Sequence, residues 1–164
     1  MMVVALFLAG CYQVSEPVIT RGAYAPVAGR YVCTNSIDGR RSQETFTEKK
    51  DGFFRPDYRY TATSGTEMAF SDMGNNLFLS QFRESGRPIL VAFMEPTANG
   101  IRFLVPNVMT EGAAIDRLVR ETGISARPLD GGTISLSGPV AQVTAYLNRN
   151  DRSMLMTVVT CIRN

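Results

Sequence analysis

The sequence contains no histidine and no tryptophan. Without histidine the chain lacks the commonest general base at neutral pH and the commonest metal ligand, and a serine–histidine pair is impossible. Net charge is also small. Seventeen Lys and Arg nearly balance fifteen Asp and Glu, leaving +2, so no global field draws the chain to nucleic acid. No apolar run reaches the roughly 20 residues that a bilayer-spanning helix needs. Glycine-rich phosphate loops and zinc-ligand spacings are missing as well, and no cofactor, metal site or catalytic motif is expected. Cysteine is limited to Cys11, Cys33 and Cys161.

What is present has the balance of an ordinary folded domain. The chain has 164 residues, 45% of them hydrophobic and 20% charged, enough for one core without dense crosslinking. Met1 to Gly10 carries no charged side chain and ends in Leu8-Ala9-Gly10-Cys11. It has the length of a secretory apolar region followed by small residues.

Leu8-Ala9-Gly10-Cys11 resembles the processing site of bacterial lipoproteins. The resemblance implies a signal peptide over residues 1–10, cleavage before Cys11, and acyl chains, palmitate among them, on Cys11. Three such chains exceed what stable membrane anchoring requires. Tyr12, where aspartate favours the inner membrane, implies the periplasmic face of the outer membrane. The leader opens without Lys or Arg, and Met1-Met2 points to a start further upstream.

Residues 11–29 carry Pro17, Gly22, Pro26 and Gly29 with no sustained period. They read as a tether. Val14, Val18 and Ile19 leave a peripheral strand open.

Residues 30–164 form the predicted domain. Seven short strand-like stretches follow one another, at 31–34, 43–48 (weakly alternating, Thr45 and Thr47 opposite Phe46), 58–63, 67–70, 77–82, 89–94 and 101–105. Asp38-Gly39, Asp51-Gly52, Ser64-Gly65, Gly74-Asn75-Asn76, Gly86-Arg87-Pro88 and Asn99-Gly100 separate them, which predicts an antiparallel meander. Ile89 to Met94 is apolar throughout and should be covered on both faces. Ile115, Leu118, Val119 and Thr122 place a helix over 111–122, with Thr110 as its cap and Gly123 as its stop. A strand at 133–136, a helix after Ser137 lined by Val140, Val143 and Leu147, and a strand at 154–162 complete the chain. The fold class expected is α+β: an antiparallel meander followed by a small helix–strand–helix–strand unit packed on it.

With Cys11 assigned to lipid, Cys33 and Cys161 are the two cysteines left in an oxidising compartment, which suits one disulfide. Such a bridge would place the first and last strands side by side or on facing sheets. Two separate buried thiols are the alternative. Arg40-Arg41 and Lys49-Lys50 suggest a basic patch across a hairpin, and Glu44 and Glu48 read as exposed strand positions. The expected function is a non-enzymatic binding or assembly module held on the bilayer by acylated Cys11, with an envelope protein as partner. A carrier of a lipid or other apolar ligand, drawing on Met68, Met94, Met154 and Met156, is the second reading. A carboxylate-dependent hydrolase is the third.

Overall fold

The structure is a computed structural model and describes residues 10–164, so residues 1–9 of the expected leader lie outside the described residues. Strand β1 spans Tyr12–Val14, and β2 to β8 span Gly29–Asn35, Arg41–Asp51, Asp57–Thr61, Glu67–Asp72, Phe78–Arg83, Ile89–Thr97 and Gly100–Pro106. Helix α1 covers Val108–Thr122. Strands β9 (Ser125–Pro128) and β10 (Ile134–Ser137) form a hairpin, helix α2 covers Val140–Asn148, and β11 runs Leu155–Arg163.

The seven meander strands occur where the apolar runs and turn residues place them, but the sheet is not open. Strand β11 pairs antiparallel with β8 on one side and β2 on the other, and β2 to β8 pair in sequence order. The result is a closed antiparallel barrel of eight strands, which corrects the expected α+β arrangement of an open meander covered by helices. The physical reason lies at the edges. A twisted meander leaves unpaired main-chain groups on β2 and β8, and one further strand between them satisfies both.

Alternation within each strand sorts side chains between interior and exterior. In β7, Leu90, Ala92 and Met94 pack inward with Phe46, Phe70, Phe82 and Phe103, while Val91 and Phe93 face outward. The outer face is covered by Ile115 and Leu118 of α1 and by Val143, Tyr146 and Leu147 of α2. The all-apolar run is therefore buried on both sides, as expected. The helices do pack on the sheet, but on the outside of a barrel. Asn107, not Thr110, caps α1, its side chain accepting from the Thr110 N–H, and Gly123 ends the helix in the left-handed conformation. Ser137 lies in β10 and Pro139 precedes α2.

The stretch 11–29 is not a free tether in this structure. Strand β1 lies antiparallel to the start of β7 and parallel to β10. Further on, the Val18 and Ile19 N–H groups donate to Gln81 Oε1 at 2.7 and 3.0 Å. Gly22 then passes so close to β4 that a Cβ there would sit 2.0 Å from the Tyr58 carbonyl oxygen. The Ala25 N–H donates to the Tyr60 hydroxyl at 2.9 Å, and Ala25 and Val27 join the interior cluster and stop that end of the barrel. The burial of Val14, Ile19, Ala25 and Val27 works against the conformational entropy lost on ordering the segment.

Cys33 and Cys161 face each other across the β2–β11 pair and form a disulfide. The first and last strands of the predicted domain are thus side by side. Among the described residues, no helix is long and apolar enough to cross a membrane.

Candidate functional site: the mouth of the barrel

The end of the barrel opposite Ala25 and Val27 is open. The turns after β4 and β6, at 62–66 and 84–88, form its lip together with Gln13 and Thr133. The lip leads to a cavity of about 120 Å³ whose walls include Cys33, Phe46, Met68, Phe82, Leu90 and Val159. The remainder of the barrel is filled, chiefly by aromatic rings. Phe103 has Phe46 and Phe82 as neighbours at 6.4 and 5.8 Å between ring centroids, and Tyr60 meets Phe70 at 5.3 Å.

Polar groups at the mouth are arranged in two tiers. On the rim, Glu84 accepts from the Thr66 hydroxyl at 2.7 Å and pairs with Arg87 Nε at 3.2 Å, and Ser64 and Thr66 share a hydrogen bond of 2.9 Å. Below the rim, Glu44 also lines the cavity. It is only 6% exposed, and its Oε2 has no hydrogen-bond partner in the protein. Burial pushes its carboxyl above the usual carboxylate range, and the Ser42 hydroxyl works in the opposite direction.

Sequence reasoning placed Glu44 on an exposed strand, and the structure corrects that. Strand β3 alternates, so Glu44 shares the inward face of Phe46 two residues on, while Gln43 and Thr45 point to solvent. Phe46 carried the signal, because a large aromatic at i+2 marks the face on which residue i lies. The expected basic patch also does not form. Arg41 and Lys49 lie at opposite ends of β3, about 27 Å apart at roughly 3.4 Å per residue.

Cys11 occupies an unexpected place for a lipid carrier. Side chains of residues 11–14 alternate, so Cys11 packs with the interior cluster, Tyr12 with the outer cluster under the helices, and Gln13 reaches the cavity. Cys11 is 0% exposed, and burial raises its thiol to about 12. The neighbouring backbone is held as well, with the Gly10 N–H donating to the Gly132 carbonyl and the Ile134 N–H donating to the Cys11 carbonyl. Of the sequence-predicted site residues, the structure brings Cys33 and Cys161 together and sets Cys11 within the barrel wall.

A second notable surface lies at the other end. Beyond Phe46 every residue of β3 is exposed, so the β3–β4 hairpin projects past the barrel. At its apex Phe53 and Phe54 are 88% and 93% exposed and meet edge to face at 5.2 Å. Met68 and Met94 of the methionine set are core residues, while Met156 is partly exposed. Among the described residues, no group of three or more His, Cys, Asp or Glu could hold a metal ion. No known protein family, curated protein or solved structure matches the chain.

Proposed function

We propose that this chain is a lipid-anchored envelope protein of the outer membrane's periplasmic face that works as a non-enzymatic binding module through the mouth of its barrel. The observation that carries the binding role is Glu44, a buried carboxyl group with an unpartnered oxygen on the wall of a largely apolar cavity. A buried, unpaired acceptor costs about 1–3 kcal/mol, and a partner supplied from outside removes that cost. Eight-stranded barrels commonly either fill their interior or hold one small ligand, and this one does the first over most of its length and leaves room for the second at its mouth.

The lipobox and the Cys33–Cys161 bridge support the address, since disulfides persist in oxidising compartments. Acyl chains have no room where the Cys11 side chain sits. In the acylated protein residues 11–14 would therefore leave β7 and β10, while Val18 and Ile19 stay held by Gln81. Seven residues, 11–17, would then form a tether of about 23 Å.

A cavity of 120 Å³ is well below the ~300–1,000 Å³ of sites for drug-sized ligands, which argues against the carriage of a whole lipid. The same limit keeps a whole sugar ring out of this cavity. The test of the anchor is membrane fractionation of Cys11→Ala, which should move to the soluble fraction; retention on the membrane would refute the lipobox reading.

The apex of the β3–β4 hairpin favours a second role, assembly with an envelope partner. Phe53→Ser with Phe54→Ser should abolish a crosslinked partner seen with the wild type and leave stability within about 0.5 kcal/mol, because both rings are exposed. An unchanged crosslinking pattern would remove this reading.

A further inference from the structure

The mouth cavity has a size, a polarity and a charge, and together they select a ligand class. An apolar cavity of about 150 Å³ is known to take benzene, so 120 Å³ holds roughly five or six heavy atoms. Its walls are the side chains of Phe46, Met68, Phe82, Leu90 and Val159, which suit an apolar stem. Among the polar side chains of the lining, Glu44 brings a buried acceptor, Oε2, that lacks a partner. At the rim Arg87 and Glu84 neutralise each other at 3.2 Å, so Glu44, when ionised, gives the lining one net negative charge.

We propose that the mouth of the barrel takes an ammonium group on a short apolar stem, with the Glu44 carboxylate as its counter-ion. This deepens the binding role proposed above and rests on it. The ammonium group enters past the Glu84–Arg87 pair and donates to Glu44 Oε2, the atom that lacks a partner. Its stem replaces water against Phe82 and Leu90. Neutral molecules of the same shape fill the cavity but leave the carboxylate without a cation. Anions are excluded by Glu44 itself. The upward displacement of the Glu44 carboxyl is what an empty site of this kind has, because a buried carboxylate without a counter-ion favours its proton. The same chemistry has two sources, a free small amine or the lysine side chain of a partner protein.

The experiment titrates the full-length, oxidised chain at about pH 8, where an alkylamine is protonated, with n-butylammonium, n-butanol and a lysine blocked at both its amino and carboxyl ends. Binding is followed by amide chemical shifts of Gln13, Phe82 and Leu90. The n-butylammonium should bind at least about tenfold more tightly than n-butanol, the worth of one charge-assisted hydrogen bond. Glu44→Gln should bring the two to parity. Arg87→Ala, a partly exposed rim change that spares the core, should tighten n-butylammonium binding about two- to threefold by removing a competing positive charge.

If the blocked lysine matches n-butylammonium, the occupant is a partner's side chain; if only the free amine binds, it is a small molecule. Equal binding of amine and alcohol, or weaker amine binding in Arg87→Ala, overturns the ligand class and leaves the cavity as a binding site. If none of the three probes binds, the binding role of the cavity falls as well.

Discussion

Loss of the Cys33–Cys161 bridge should lower the melting temperature by about 10–20 °C without changing the fold. The two residues are 128 positions apart. Closing a loop of that length removes about 5 kcal/mol of conformational freedom from the unfolded chain in the entropy treatment of crosslinks. The folded state loses little, because β2 and β11 remain in register from Asn35 opposite Val159 to Tyr31 opposite Arg163. Strand β11 is held on its other side by β8 as well. For a chain of this length each kcal/mol shifts the midpoint by about 2–4 °C, which gives the stated range. The assay is thermal unfolding by circular dichroism of the oxidised protein, the reduced protein and the Cys33→Ala, Cys161→Ala double variant. The reduced protein and the double variant should coincide, and both should have a steeper denaturant dependence than the oxidised form, because the uncrosslinked chain exposes more surface. A midpoint within about 3 °C of the oxidised protein would refute the argument that the bridge acts through the unfolded ensemble.

Two further expectations concern buried polar groups. Burial raises the Glu44 carboxyl in the folded state, so its contribution to stability is greatest below the unfolded value of about 4.3 and declines as pH rises toward the folded value. The other charged groups lining its cavity, Glu84 and Arg87, are paired with each other. Glu44→Gln should therefore gain stability relative to wild type as pH rises above about 4 in calorimetry, and a pH-independent difference would contradict the assignment. The Tyr12 and Tyr146 hydroxyls meet at 2.6 Å beneath α2. Either single change to Phe leaves a buried hydroxyl unpaired and should cost about 1–3 kcal/mol, whereas the double change should cost less than the sum. Simple additivity in urea unfolding would show that the pair is not coupled.

Much of the local structure is legible in the residues. Asp38-Gly39, Asp51-Gly52 and Asn99-Gly100 mark turns that occur, and Ile115, Leu118 and Gly123 mark the face and end of α1. Closure of the sheet is less legible, because hairpin signals act between neighbouring strands and none says that β11 will pair with β2. The pairing of Cys33 with Cys161 was the one clue to that contact. The hidden part of the site has a similar cause. Glu44 is a charged residue whose type argues for solvent, and its strand position overrides that preference only once Phe46 is known to face a closed interior. The segment 11–29 was read by its prolines and glycines, and its partners, Gln81, Asp57 and Tyr60, lie more than thirty residues away.

The position of β11 after all the other barrel strands, beyond two helices and a hairpin, governs the order in which the barrel can be assembled. Each of β3 to β8 can pair with its predecessor as soon as it emerges, since their connections are short. Residues 107–154 must then follow before the closing strand arrives. A chain delivered amino terminus first therefore passes through a stage in which β2 and β8 are both open edges, competent to pair with another chain. Closure waits for the last strand and needs the long-range contact that brings Leu155–Arg163 back to Gly29–Asn35. Removing Leu155–Arg163 would yield an unsealed sheet with two adhesive margins rather than a slightly smaller barrel.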